Sequence, residues 1–225
     1  MKNCLARAGL ALLLSLAALS IHAADEIYEG FQYARLEKPV EPITSAAGKV
    51  EVVELFWYGC GHCYAFEPHL HDWLRRKPED VEFIRIPAVF NSNAWRLHAR
   101  AYYTAEVLGI VDKIHGPMFN AIHKDKRPLN TEQQLAAFFA EFGVEEKKFM
   151  DTFKSFAVDV KVNRAERLTK RYGIDGVPSM VVAGKYRTDG PMAQSYQGLL
   201  QVVDHLVAKE HAATRVTSTA VGGNK

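Results

Sequence analysis

Two cysteines, Cys60 and Cys63, are separated by Gly61 and His62 where the apolar run Val50 to Trp57 gives way to a helical pattern of Tyr64, Phe66, Leu70, Trp73 and Leu74. A pair at this spacing can close a small, easily broken disulfide, and it also matches half of a zinc site. The N-terminus of a helix offers unpaired N–H groups and the positive end of the macrodipole, and both favour a thiolate over a thiol on the first cysteine. Cys60 is therefore the candidate nucleophile if the chemistry is redox.

The remaining ligand types decide between the two. Lys2 and Arg7, the apolar run Ala8 to Leu19 and the small residues Ala23 and Ala24 read as a secretory signal peptide cleaved near Ala23. A membrane anchor would need an apolar run of roughly 20 residues. Cleavage would remove Cys4 and two of the 28 basic residues, leaving Cys60 and Cys63 alone and the charges balanced. No basic stripe then points to nucleic acid, and no polybasic run to a membrane surface. Among the nine histidines, His69 and His71 are two apart and face different sides of a helix, and His98, His115, His123, His205 and His211 fall at no ligand spacing. An exported chain meets an oxidising compartment, where a lone cysteine pair is expected to cycle rather than hold metal. Redox use is the stronger reading.

The elements that position the pair follow from periodicity. Tyr28 to Leu36 could form a short edge strand before Pro39 and Pro42. Val50 to Trp57 is nearly continuous in apolar residues, as suits a strand covered on both faces. The helix from Cys60 ends near Arg76 and is bent at Pro68, and Val81 to Phe90 forms a second, parallel strand. From Asn93 to Tyr172 only helical patterns appear: Ala94 to Leu108, Ile110 to Ile122 broken or kinked at Gly116-Pro117, Thr131 to Phe142 capped by Asn130 with Gln133, Glu145 to Phe153, and Ala157 to Tyr172. Val177 to Ala183 and Lys185 to Thr188 make a hairpin around Gly184, Tyr196 to Ala208 is a last amphipathic helix, and the tail 212–225 is expected to be disordered. The organisation predicted is a leader (1–23), a first core part (24–92), an inserted helical domain (93–173), a second core part (174–211) and the tail.

Glu51 and Glu54 interrupt the first strand. Glu51, near its start, is expected to be solvated. Glu54 shares a face with Val52 and Phe56; it either reaches the strand end and stays wet, or is desolvated with a raised pKa and exchanges a proton with Cys63.

Strand, helix opening with Cys-x-x-Cys and carrying a proline, strand, then a Val-Pro hairpin and a final helix resembles the thioredoxin fold. The helical block and the motifs Glu-Leu-Phe-Trp-Tyr-Gly-Cys-Gly-His-Cys-Tyr-x-Phe-Glu-Pro and Gly-Ile-Asp-Gly-Val-Pro-Ser resemble, over nearly the whole mature chain, the DsbA family of periplasmic thiol:disulfide oxidoreductases. The resemblance implies an α/β thioredoxin fold with the helices inserted between the second strand and the hairpin. It also implies a cis-proline loop at Val177-Pro178 facing the cysteines, a buried acid at Glu54 and a tuning role for His62. The expected reaction passes the Cys60–Cys63 disulfide to exported, folding proteins through a mixed disulfide on Cys60, with reoxidation by a DsbB-like, quinone-linked membrane protein. No cofactor, metal or nucleic acid is expected, and the protein is expected to be a monomer. Gly61 departs from the family's best-known members, which have proline there, and gives the Cys-Gly-His-Cys usual in protein disulfide isomerases; it bears on the strength of the oxidant. A disulfide isomerase or reductase, and a peptide-binding chaperone with a structural disulfide, are the alternatives.

Overall fold

The computed structural model describes residues 26–44 and 48–222. The expected leader lies outside them. Seven residues, Val50–Phe56, form β2, and every one is buried. This strand is an interior strand of a five-stranded mixed sheet in the order β1-β5-β4-β2-β3. β3 (Val81–Pro87) pairs parallel to β2, and β4 (Ser179–Val182) pairs antiparallel on its other side. β5 (Tyr186–Asp189) and the two-residue β1 (Ala34–Arg35) complete the far edge. The strand patterns at 50, 81 and 177 therefore mark three adjacent strands, β2 flanked by β3 at the sheet edge and β4 on its other side.

The helix α1 (Gly61–Arg76) crosses from β2 to β3 and buries Phe66, Leu70 and Trp73 on the sheet with Leu199, Val203 and Leu206 of α8 (Tyr196–Gly222). Its indole is fixed as well as buried: Trp73 Nε1 donates to Asp204 at 2.6 Å, and Arg76 pairs with the same carboxylate at 3.0 Å. Between β3 and β4 the chain forms α2 (Asn93–Val107), α3 (Val111–His123), α4 (Glu132–Ala140), α5 (Glu146–Phe153) and α6 (Phe156–Arg171). Their apolar faces share one core with Val53, Leu55 and Phe56 of β2. The fold is thus a thioredoxin-like sheet with a helical insertion on one face.

Several local expectations change. The aromatic stretch 28–36 is mostly a turn, because Gly30 takes φ +89° and its N–H closes on the Tyr33 carbonyl, and its strand is confined to Ala34–Arg35, which pair with β5. Gly116-Pro117 does not break α3, whose buried Ile114, Met118 and Phe119 hold both halves on the core. Glu51 is not solvated: it is buried, and one carboxylate oxygen accepts from the amides of Ile43 (2.6 Å) and Thr44 (2.8 Å). A chain turn with unpaired N–H groups thereby draws the acid inward. The last helix continues to Gly222, through residues expected to be disordered, since nothing from Ala212 to Val221 breaks a helix that is already nucleated. A short helix, α7 (Gly190–Ala193), follows β5 and had no pattern to announce it.

The cap of α4 also moves by one residue. Thr131 is the N-cap, its Oγ1 accepting from Gln134 N at 3.2 Å while Gln134 Oε1 accepts from Asn130 N at 2.8 Å. Two overlapping cap sequences are present here, and the observed hydrogen bonds select Thr131. Thr131→Ala should therefore lower stability by about 1 kcal/mol in urea unfolding, whereas Asn130→Ala should leave the midpoint nearly unchanged.

Candidate active site

Cys60 is the N-cap of α1, in extended backbone, and its carbonyl accepts the first helical bond from Tyr64 N at 3.1 Å. The chain reaches it from β2 through Trp57, Tyr58 and Gly59. Trp57 stacks on Trp95 of α2 with ring centroids 4.2 Å apart. Gly59 is required beneath that indole, because a Cβ there would lie 2.4 Å from the ring. Tyr58 is held from α3 twice: its hydroxyl lies 3.0 Å from His115 Nδ1, and its carbonyl accepts from His123 Nε2 at 2.8 Å. The turn before the cysteines is therefore clamped by the inserted helices.

Both cysteines are free thiols, Cys60 half-buried and Cys63 sealed from solvent. The Cys60 thiol is held down at about 6. A hydrogen bond from the Cys63 thiol is the largest cause; burial opposes it, and the backbone N–H groups of Cys63 and His62 and the charge of His62 add to it. Burial, and then the neighbouring Cys60 sulfur, push the Cys63 thiol far above the ordinary range. One sulfur is thus an accessible anion at neutral pH and the other an enclosed proton carrier.

The Val177–Pro178 peptide bond is cis, and it brings the Val177 carbonyl within 3.3 Å of Cys60 Sγ. Beside it runs a largely apolar groove of about 700 Å³ lined by His62, Gly176, Val177, Pro178, Pro191 and Tyr196. His62 Nδ1 lies 3.2 Å from the Tyr196 hydroxyl, so the third residue of the motif lines the groove as well as acting on Cys60. No cluster of His, Cys, Asp or Glu among the described residues could hold a metal ion.

Glu54 is fully buried, and burial pushes its carboxyl up to about 8 although Arg85 opposes the shift. Arg85 sits directly across the β2–β3 ladder and donates to Glu54 Oε2 at 3.0 Å. The other oxygen of Glu54 has no hydrogen-bond partner among the described residues. Arg85 also faces Glu67 of α1 at 3.5 Å, and Glu67 Oε1 lies 3.2 Å from His115 Nε2. Cys63 and Glu54 interact electrostatically, the ionised acid raising the thiol further. The structure therefore brings Cys60, His62, Cys63, Glu54, Val177 and Pro178 to one place.

Arg85, Glu67, Tyr196 and the donor role of the Cys63 thiol were not singled out from sequence. For Arg85 a signal existed: a lone cation inside Val-Glu-Phe-Ile-Arg-Ile-Pro, on the strand parallel to one carrying a mid-strand acid. For Tyr196, more than 130 residues away in the chain, there was none.

A model of the DSBA-like thioredoxin domain family matches residues 83–204. The chain is 43% identical to the thiol:disulfide interchange protein DsbA of Pseudomonas aeruginosa over 192 residues, which are 85% of this chain and 90% of that one. It is 45% identical to DsbA of Burkholderia cepacia over 170 residues, 76% and 80% of the two chains. The crystal structure of the Pseudomonas protein superposes with a TM-score of 0.79 at 43% identity, covering 85% of this chain and 98% of that one. The oxidoreductase DsbA of Xylella fastidiosa superposes with a TM-score of 0.75 at 36% identity, covering 80% and 96%.

The two thiols make a pH prediction. Ultraviolet absorbance of the reduced protein should show one thiolate titrating at about 6, and Cys60→Ser should abolish it. Since an ordinary thiol titrates near 9, the folded Cys60 anion contributes stability that is complete above pH 9 and lost as pH falls through 6. Reduced wild type should gain stability relative to Cys60→Ser across that window; a constant difference between the two would contradict the assignment.

Proposed function

Since this chain belongs to the DsbA family and is a thiol:disulfide oxidoreductase, we propose that Cys60 is the sulfur that substrates attack, that Cys63 is its resolving partner, and that Glu54 handles the Cys63 proton. The observation that carries the reading is the asymmetry of the pair: Cys60 is accessible and held at about 6, whereas Cys63 is sealed and held protonated.

In the oxidised protein a substrate thiolate attacks Cys60 Sγ. The Cys60–Cys63 bond breaks, a substrate–Cys60 bond forms, and Cys63 leaves as a thiolate that takes a proton from Glu54. A second substrate thiolate then attacks the substrate sulfur of the mixed disulfide, and Cys60 departs as the stabilised anion. Two electrons have moved from substrate to enzyme. Expulsion of Cys60 is favoured because a thiolate of low proton affinity is a good leaving group, and the same stabilisation favours the reduced enzyme. The direction of the reaction is oxidation of the substrate.

Substrates are unfolded or folding exported proteins that carry reduced cysteines. An extended segment lies along the groove, pairing its backbone with the chain at Val177 beside Pro178, which reads main chain more than side chains. The apolar lining accepts segments that a folded protein would have buried. A periplasmic location follows from the N-terminal leader, with cleavage near Ala23, and the two electrons pass on to a DsbB-like, quinone-linked membrane protein. The protein acts as a monomer.

Cys60→Ser should lose at least about 100-fold in the rate of oxidising a reduced, unfolded protein, the cost of removing a nucleophile. Cys63→Ser should instead accumulate a mixed disulfide on Cys60 that non-reducing electrophoresis and mass spectrometry detect. Oxidation continuing unchanged in Cys60→Ser would leave only a peptide-binding role.

A further inference from the structure

His115 is buried, comes from the inserted helix α3, and stands in none of the steps above. Its two ring nitrogens meet different partners: Nδ1 lies 3.0 Å from the Tyr58 hydroxyl and Nε2 lies 3.2 Å from Glu67 Oε1. Burial lowers the proton affinity of this imidazole and raises that of the Tyr58 phenol, so both are neutral near pH 7. Burial alone would raise the Glu67 carboxyl, but the hydrogen bond from His115, together with Arg85, holds it below the usual range. A neutral imidazole between a hydroxyl and a carboxylate has one arrangement that satisfies both: Tyr58 donates to Nδ1, and Nε2–H donates to Glu67.

Arg85 has one charge for two carboxylates. It lies 3.0 Å from Glu54 and 3.5 Å from Glu67. Glu67 has a second donor in His115; Glu54 is fully buried and has Arg85 as its hydrogen-bond donor. We propose that His115 is a positioning residue for the Cys60–Cys63 reaction: by supplying a donor to Glu67, it leaves the Arg85 guanidinium on Glu54 and so sets the readiness of Glu54 to take the Cys63 proton. The inference rests on the reading of Glu54 as the proton acceptor for Cys63.

The groups facing His115 are Tyr58 after β2, Glu67 of α1, Arg85 of β3, Tyr102 of α2 and Asp112 on α3 itself. Without the imidazole, Glu67 would face Arg85 as its remaining strong donor, and the guanidinium would be drawn from 3.0 Å at Glu54 toward the acid now at 3.5 Å. Glu54 would then hold its proton more tightly, and less of it would be carboxylate at a given pH. The Tyr58 turn itself stays tied to α3 by His123, which donates to its carbonyl at 2.8 Å, so Cys60 keeps its place. The rings of Phe56, Phe119 and Tyr58 surround His115 with centroids at 5.0, 5.2 and 5.3 Å, so a phenylalanine there keeps the packing and removes only the polar contacts.

The test follows the reduced enzyme reacting with oxidised glutathione across pH. In the first phase the Cys60 thiolate attacks one glutathione sulfur, a mixed disulfide forms, and the other glutathione leaves as thiolate. In the second, Cys63 gives its proton to Glu54 and attacks Cys60 Sγ; the bond to glutathione breaks, glutathione departs as thiolate, and the enzyme is left oxidised. His115→Phe should leave the pH profile of the first phase in place and move the midpoint of the second up by about 1 pH unit, a slowing of about 10-fold near neutral pH. His115→Gln, whose amide can donate to Glu67 and accept from Tyr58, should restore most of that rate. Superimposable second phases in wild type and His115→Phe overturn the proposal, as does an equal slowing of both phases that glutamine fails to rescue. Glu54→Gln run alongside separates the levels: if it leaves the wild-type second phase unchanged, the Glu54 reading falls and this inference with it, whereas a Glu54 effect without a His115 effect overturns only the latter.

Discussion

The hydrogen bond between the Cys63 thiol and the Cys60 sulfur sets the terms for the rest of the molecule. It needs one sulfur to be an anion that solvent and substrate can reach, and the other to remain protonated three residues further along the same helix. The first condition is met by placing Cys60 at the N-cap, where the amides of His62 and Cys63 point at it. The second is met by enclosing Cys63 between β2, α1 and the inserted helices, where burial raises its proton affinity. Each condition supports the other, because a firmly protonated Cys63 is a permanent donor, and an anionic Cys60 raises Cys63 further.

That arrangement creates a difficulty which the role proposed for Glu54 would resolve. A thiol held so far above the ordinary range needs, inside the same enclosure, a group that gives it a proton when it leaves and takes the proton when it attacks. A fully ionised acid would disfavour the Cys63 anion by repulsion, and a fully neutral one could not accept. At about 8, Glu54 lies between these limits near neutral pH. Burial raises it and Arg85 restrains it, so its position reflects a contest between desolvation and one guanidinium shared with Glu67.

Much of this was legible in the sequence because it is written in short-range patterns. Apolar continuity marked β2 and β3, the Cys-x-x-Cys spacing marked the reactive pair, and the Val-Pro-Ser motif, by resemblance, marked the loop that approaches Cys60. What was missed depends on long-range pairing. Arg85 acquires meaning only once the β2–β3 register sets it opposite Glu54, and Glu51 only once a turn brings two free amides to it. His115 and His123 looked like scattered histidines without ligand spacing. Their separation of about two helical turns puts them on one face of α3, which the turn after β2 then meets at Tyr58. The helical insertion accordingly does more than cover the sheet, since it supplies the side chains that fix the turn before the nucleophile.

The same geometry narrows the meaning of Gly61. The donors that lower Cys60 are the Cys63 thiol, the amides of Cys63 and His62, and the charge of His62; the Gly61 N–H is not among them. A proline at this position would remove an N–H that the thiolate does not use, and proline is well suited to the first position of a helix. A Cβ there would also lie in open space, with no atom beyond its chain neighbours within 4 Å. Glycine in place of proline therefore leaves the electrostatic machinery around Cys60 intact and acts through the freedom of the helix start alone. The Cys-Gly-His-Cys form, taken by itself, does not mark this chain as an isomerase, because the features that make Cys60 a good leaving group lie at positions 62 and 63.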